Sequence, residues 1–385
     1  MIDELDQLLS EEGWAYASTP PVEEGDPGRF HALFGRDSLI TALQVLPARP
    51  DVARATLRAL AARQGRTARS DTLEEPGKIG HEFRDRPPEP FVSVGWPDVG
   101  PFAYYGTADA TSWFLVVLAA TRDAALAAEL EDARRAAGEW LARALDAGDG
   151  LVRHAPGTLP ALNQQGWRDS IHPDGAYGGG ILRPDGTVPE PPLADVDSQA
   201  AAYAALRALA VLDPGGAWER RAEQLRARLS ALGPDVVAVE AGDRPVPGAG
   251  SQLGWLLWAD ALDANARETA AERLCAPDVL TEYGLRTLSS ASPVFAPHAY
   301  HRGSIWPFDS WLGWGGLRAA GREHEAERVR RGVLAALDRL GRAPELYAVT
   351  PAGALEPSER SNRVQAWTVG ARWALENAWD GRALT

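Results

Sequence analysis

Two short segments set a carboxylate among aromatic and hydrogen-bonding residues. They are Gly166-Trp167-Arg168-Asp169-Ser170 and, about half the chain later, Pro344-Glu345-Leu346. Cleaving a glycosidic bond takes two carboxyl groups, one to protonate the leaving oxygen and one to activate water or attack the sugar. Asp169 suits the acid if a wall such as Trp167 excludes water and raises its pKa. Glu345 suits the base if it stays ionised and faces a water. Taken alone, Asp169 is equally a helix cap or the partner of Arg168, and Glu345 a first-turn helix acid beside Pro344.

Other polar clusters could line the same cleft. Arg36-Asp37 begins a predicted helix, and Asp37 could accept from two sugar hydroxyls while Arg36 holds it through a bidentate pair. A purely structural Arg–Asp pair is the plainer alternative. Lys78, the only lysine, stands with His81 and Glu82 near Glu74 and Glu75, either lining a pocket or bracing a loop. Tyr105 and Asp109 open the helix near Thr107, with Asp109 either a pocket acceptor or a first-turn dipole partner. His301 and Trp306 read as pocket lining, Trp306 equally as core. His298 and His301 lie three apart, but no HExxH or Cys pair supports a metal site. No Gly-x-Ser-x-Gly elbow and no Walker or Rossmann glycine pattern occurs, and Gly248-Ala249-Gly250-Ser251 misses the dinucleotide spacing. The expectation is catalysis without metal or cofactor.

The elements that must carry these residues are helical. Leu126, Leu130, Ala133, Ala137, Leu141 and Leu145 share one helical face. So do Trp218, Ala222, Leu225, Leu229 and Leu232, and Ala326, Val329, Val333, Leu337 and Leu340. Further helices are predicted over 38–46, 52–64, 107–120, 199–212, 251–261, 267–275, 305–320 and 362–377. Asp51, Asp197, Ser251 and Ser361 are the candidate caps. Strand signal is confined to 236–239 and the stretch near Thr187. The segments 19–36, 70–101, 151–192, 282–304 and 342–362 are long and rich in Gly, Pro, aromatics and acids. Long loops in a compact domain are usually functional. No composition break divides residues 1–385, so a single domain is expected, with paired helices in a ring and the loops at one end.

Composition limits the partners. The chain is 45% hydrophobic and 24% charged with a net charge of -14 and no long basic run, so nucleic acid and anionic membranes are excluded as partners. The most apolar run, 113–120, is too short to span a bilayer. One cysteine, Cys275, allows no internal disulfide. The acidic N-terminus lacks the shape of a signal peptide, and a cytoplasmic location is expected. Fourteen tryptophans are many for this length; core packing accounts for half or more, and those beside polar motifs could stack on sugar rings.

Seven motifs in order carry a family resemblance: Phe34-Gly35-Arg36-Asp37-Ser38-Leu39-Ile40; Glu74-Glu75-Pro76-Gly77-Lys78-Ile79-Gly80-His81-Glu82; Tyr104-Tyr105-Gly106-Thr107-Ala108-Asp109; Gln165-Gly166-Trp167-Arg168-Asp169-Ser170; Tyr283-Gly284-Leu285-Arg286-Thr287; Tyr300-His301-Arg302-Gly303-Ser304-Ile305-Trp306-Pro307; and Gln365-Ala366-Trp367. From about Phe30 to the C-terminus the chain resembles the amylo-alpha-1,6-glucosidase family, the glucosidase half of glycogen debranching enzymes and its bacterial relatives, related to glucoamylase-like and trehalase-like hydrolases. The resemblance implies an all-α (α/α)6 barrel and inversion at the anomeric carbon. It implies Asp169 as general acid and Glu345 as general base. It also implies a pocket of Arg36, Asp37, Lys78, His81, Glu82, Tyr105, Asp109, Trp167, Arg168, His301, Trp306, Gln365 and Trp367 around an oligosaccharide or small glycoside.

Departures from the family pattern bear on the substrate. Many relatives carry an N-terminal, largely β domain, which the early position of Phe34-Gly35-Arg36 leaves no room for. A Glu-Val-Gln-Gly-Tyr-like stretch reads Asp195-Val196-Asp197-Ser198-Gln199, and Gly254-Trp255-Leu256-Leu257-Trp258 and Ala343-Pro344-Glu345-Leu346 also deviate. An α-glucoside is the expected substrate. A small compatible-solute glycoside such as glucosylglycerate or mannosylglycerate is the alternative. A non-catalytic sugar-binding protein would not need the complete acid pair, and an isomerase or epimerase would want a His pair that His298 and His301 do not supply.

Overall fold

The computed structural model describes residues 2–20, 30–159, 162–169 and 180–382. Ser170, and parts of the loops 19–36 and 151–192, lie outside these residues. Among them the helices are, in order, α1 (Ile2–Asp6), α2 (Gly35–Val45), α3 (Pro50–Ala62), α4 (Glu89–Val92), α5 (Ala110–Ala120), α6 (Ala124–Glu129), α7 (Glu131–Ala147), α8 (Val196–Leu212), α9 (Trp218–Leu232), α10 (Gln252–Ala259), α11 (Ala264–Leu274), α12 (Pro307–Ala319), α13 (Glu323–Leu340) and α14 (Ala366–Glu376).

Helices α2, α5, α8, α10, α12 and α14 touch in that order, and α14 closes back onto α2. This inner ring is wrapped by α3, α7, α9, α11 and α13, with α1 against α14, giving the expected (α/α)6 barrel. The two rings differ in sequence for a physical reason. The outer helices have water on one side and keep one apolar stripe, as α13 does with Ala326, Val329, Val333, Ala336 and Leu337 buried. The inner helices are covered on both sides, so every residue of α2 and α5 is buried. Inner helices also approach closely. A Cβ on Gly254 of α10 would lie 2.5 Å from Gly313 Cα of α12, so only glycine permits that crossing.

Short antiparallel pairings tie the loops down. β1 (Leu33–Phe34), β2 (Glu82–Arg84) and β3 (Phe102–Tyr104) form one sheet with Phe34 opposite Glu82 and Glu82 opposite Tyr104. β4 (Ala194–Asp195), β5 (Val236–Glu240) and β6 (Arg244–Pro247) form a second. Two hairpins follow, β7 (Leu280–Thr281) with β8 (Gly284–Leu285), and β9 (Tyr347–Val349) with β10 (Leu355–Pro357). The expected strand at 236–239 is β5. The stretch near Thr187 is instead a turn in which Arg183 N–H donates to Thr187 O at 2.8 Å. Two expected caps shift: α8 is capped by Asp195, whose side chain accepts from Ser198 N–H, and α3 begins behind Arg49 rather than Asp51. Helix α14 starts after Gln365, not near Ser361, because Gln365 is extended and bridges Ser18.

Candidate active site

The first turns of the inner helices converge. Arg36 at the start of α2 reaches Asp109, which precedes α5, through Nε at 3.0 and 2.8 Å. Arg168 links Asp197 of α8 to Ser251 before α10. Asp309 in α12 accepts from Trp255 Nε1 of α10 at 2.6 Å. Gln365 before α14 donates to Asp37 Oδ1 of α2 at 3.4 Å, which closes the circle. Helix N-termini favour negative charge, and six of them here surround a group of buried carboxyls.

Glu345 belongs to that group, and the half-buried Asp169 stands at its edge. Asp169 Oδ2 lies 3.5 Å from Arg36 Nη1, and its side chain keeps 24% of its surface exposed. Glu345 is buried, accepts from Tyr300 OH at Oε1 (2.5 Å) and from Asn362 N–H at Oε2 (3.3 Å). Burial pushes Asp169 up to about 7 against the pull of Arg36. Burial likewise pushes Glu345 up to about 8 against its two donors, with Asp37 and Asp169 adding repulsion. Asp37 is pushed up to about 7 by burial, opposed by Arg36. Like charges crowded in one buried site cannot all ionise together. Glu345 is the carboxyl whose anion already has an O–H and an N–H donor in place.

Aromatic rings wall the site. Trp167 stacks parallel to Trp255 at 6.0 Å and meets His301, Trp306 and Phe308 edge-on at 5.1, 5.4 and 5.2 Å. His301 stacks on Trp306 at 5.0 Å, and Trp367 on Phe308 at 3.9 Å. Burial with Arg168 and Arg36 nearby holds His301 neutral. Among the described residues, both nitrogens of His301, the indole N–H groups of Trp167 and Trp367, and Arg36 Nη2 are buried without a hydrogen-bond partner. Buried polar atoms are normally satisfied, so these groups, with one donor and one acceptor on the neutral His301 ring, are suited to a polar ligand. Trp306, by contrast, donates to Tyr300 O and Ser304 Oγ and is wall only.

The other expected lining residues have these partners. Arg36 pairs with Asp109 rather than with Asp37, because Asp109 sits across the α2–α5 seam; Asp109 itself is wholly buried. Arg168 bonds beneath the site to Asp197 (3.0 and 3.3 Å), Ser251 Oγ (3.0 Å) and Thr287 O (2.5 Å), with its Cζ 4.8 Å from the centre of the Trp167 ring. Its three guanidinium nitrogens are all engaged in this way. Lys78 donates to Glu75 and Leu73 O and lies over Trp140 of α7, bracing its loop against an outer helix. Tyr105 donates to Arg63 O after α3 and packs edge-on against Phe83. His81 is held edge-on between Phe34 and Tyr104. Glu82 receives Arg84 Nε and lies within the field of Asp169.

The sequence patterns do not single out Tyr300 or Asn362, and mark Asp197 and Ser251 only as helix caps. Tyr300 stood inside a quoted motif beside His301, which was its only signal. Its partner Glu345 is 45 positions away.

A closed ring of helical hairpins with carboxyls and an aromatic wall at one end is the architecture of the six-hairpin glycosidases. The profile of the mannosylglycerate hydrolase MGH1-like glycoside hydrolase domain matches residues 37–348. The chain belongs to that family and is a glycoside hydrolase. Its fold is similar to GH63 mannosylglycerate hydrolase from Thermus thermophilus in complex with Tris and D-glycerate, at 18% identity and TM-score 0.68 over 97% of this chain and 98% of that one. The structure of that hydrolase with glucose is similar at 18% identity and TM-score 0.65, over 98% of each chain. Neutral trehalase Nth1 from Saccharomyces cerevisiae follows at 16% identity and TM-score 0.59, over 96% of this chain and 78% of that one. No curated protein matches significantly in sequence. The resemblance therefore holds for six-hairpin glycosidases as a group, and its family match is MGH1-like rather than specifically amylo-alpha-1,6-glucosidase. Among the described residues no helix is long and apolar enough to cross a membrane, and no three His, Cys, Asp or Glu are grouped to hold a metal.

Proposed function

We propose that the protein hydrolyses a small α-hexoside of the mannosylglycerate or glucosylglycerate type with inversion, Asp169 acting as general acid and Glu345 as general base. The observation that carries the assignment is the different setting of two carboxyls in one field. Glu345 has its anion held by Tyr300 OH and Asn362 N–H. Asp169 keeps an exposed edge toward the leaving group. Burial raises it to about 7 and Glu345 to about 8, so the two share protons near neutral pH, and the roles are assigned by the donors on Glu345 rather than by the order of the two values. In the reaction Asp169 gives its proton to the glycosidic oxygen as the bond breaks. Glu345 takes a proton from the water that attacks the opposite face of the anomeric carbon. Inversion requires the two carboxyls to stand about 6.5–9.5 Å apart, room for that water. The unpartnered donors of His301, Trp167 and Trp367 and the carboxylate of Asp37 would bind the sugar hydroxyls, while Arg36 steadies Asp169.

The family match to an MGH1-like domain favours the compact hexosylglycerates over branched glucans. A substrate panel tests this: mannosylglycerate, glucosylglycerate, isomaltose, maltose and trehalose, each followed by released hexose. The hexosylglycerates should give the highest kcat/KM, and Asp169→Asn and Glu345→Gln should each lose at least about 10³-fold. Preference for isomaltose would instead restore the α-1,6-glucosidase reading, and binding without cleavage of any member would leave a sugar-binding protein.

A further inference from the structure

Beneath the segment that delivers Asp169, two buried groups face each other. His154 is paired through its backbone with Leu193, N–H to O at 2.8 Å in both directions. That pairing brings its ring to Asp195, two residues further on. His154 Nε2 receives the Gln165 N–H at 3.3 Å. A nitrogen that accepts carries no proton, and burial keeps the ring neutral, lowered to about 3. The single ring proton therefore sits on Nδ1. Nδ1 faces Asp195 Oδ2 at 3.8 Å, and neither atom has a hydrogen-bond partner among the described residues. The other oxygen, Oδ1, accepts from Ser198 N–H at 2.8 Å and caps α8. The same carboxylate lies against the acid loop. A Cβ on Gly166 would sit 2.6 Å from both of its oxygens. Gln165 O in turn accepts from Ala108 N–H at 2.8 Å, ahead of α5.

We propose that Asp195 and His154 are a positioning pair for the general acid: Asp195 fixes His154 as the Nδ1–H tautomer, whose free Nε2 captures the Gln165 amide and sets the path that carries Asp169 to the mouth. The proposal rests on Asp169 being the acid. Neither residue touches the reacting atoms; both act through the backbone at Gln165 and Gly166. The glycine is required because the loop is seated directly on the carboxylate.

The test uses three variants of the full chain. Asp195→Asn keeps the helix cap and the shape but turns an amide N–H₂ toward Nδ1. That forces the proton to Nε2, where it meets the Gln165 N–H donor to donor. The expected loss is about 10–100-fold in kcat, the scale of a displaced catalytic group, with KM within about two-fold. His154→Gln places an amide oxygen where Nε2 stood, so it should retain most of kcat, and adding Asp195→Asn to it should cost less than about three-fold. The ¹⁵N shifts of labelled histidine should show His154 unprotonated at Nε2 in the wild type and protonated there in Asp195→Asn. A wild-type Nε2–H tautomer overturns the proposal, and so does an Asp195→Asn loss that is equal with and without His154→Gln. If Asp195→Asn does not fold, the wild-type tautomer and the retained kcat of His154→Gln decide. Asp169→Asn, measured alongside, tests the acid assignment alone, since the tautomer readout does not depend on activity.

Discussion

Replacing Glu345 by Gln should abolish activity and yet stabilise the protein at alkaline pH. Glu345 is buried, and its pKa rises from an ordinary 4.5 to about 8. The folded protein therefore holds a proton there that the unfolded chain releases above about 4.5. Below that pH both states are protonated and nothing is at stake. As pH climbs to about 8, stability falls, because the folded state must either keep the proton or bury a charge. The full rise sets a ceiling of about 5 kcal/mol at about 1.4 kcal/mol per pH unit. Part of it comes from Asp37 and Asp169, which gain room to ionise once Glu345 is neutral. About 2–3 kcal/mol should remain for Glu345→Gln at pH 8.5. With 385 residues the unfolding entropy is about 0.8 kcal/mol/K, so the melting temperature should rise by roughly 3 °C. At pH 5 glutamine resembles the protonated acid and the two proteins should melt within about 1 °C. Thermal melts of both proteins across pH 5–8.5 measure this. An offset that does not change with pH, or a wild type that is the more stable at pH 8.5, would refute the reasoning.

Arg36→Met should remove activity and cost about 3–5 kcal/mol in urea unfolding, because it strands the wholly buried Asp109. Arg168→Met should cost a similar amount for the same reason at Asp197. Lys78→Met should change kcat/KM by less than about three-fold, since Lys78 braces a loop against Trp140; a loss of 100-fold would return it to the site. The pH profile of kcat/KM should be bell-shaped. Its acid limb falls as the base is protonated and its alkaline limb as the acid ionises. Both apparent values should lie between about 6 and 9 and belong to Asp37, Asp169 and Glu345 jointly.

How much the sequence revealed depended on what each residue faces. The outer helices were legible because water on one side imposes a stripe: the faces through Trp218 and Leu229, and through Val329 and Leu337, are α9 and α13. The inner helices have no polar side, and the predicted starts of α2, α5, α8 and α14 miss by three or four residues, while those of α10 and α12 fall within two. Helix α14 begins only after Gln365, whose extended backbone bridges Ser18. Two- and three-residue strands such as β1 and β7 are too short to leave an alternating pattern. In the site, Asp169 and Glu345 carried local motifs, whereas their surroundings are tertiary. Arg36 meets Asp109 from 73 positions away, and Arg168 meets Thr287 from 119. Adjacency in sequence suggested Arg36 with Asp37, but successive residues of a helix do not face each other.

The central claim is direct displacement at the anomeric carbon by a water that Glu345 activates, with Asp169 protonating the leaving group. Proton NMR of the first sugar released from an α-hexosylglycerate, recorded before mutarotation, tests it most directly. The β anomer should appear first, and Asp169→Asn should release neither anomer. The α anomer appearing first would mean retention through a covalent intermediate and would contradict the account.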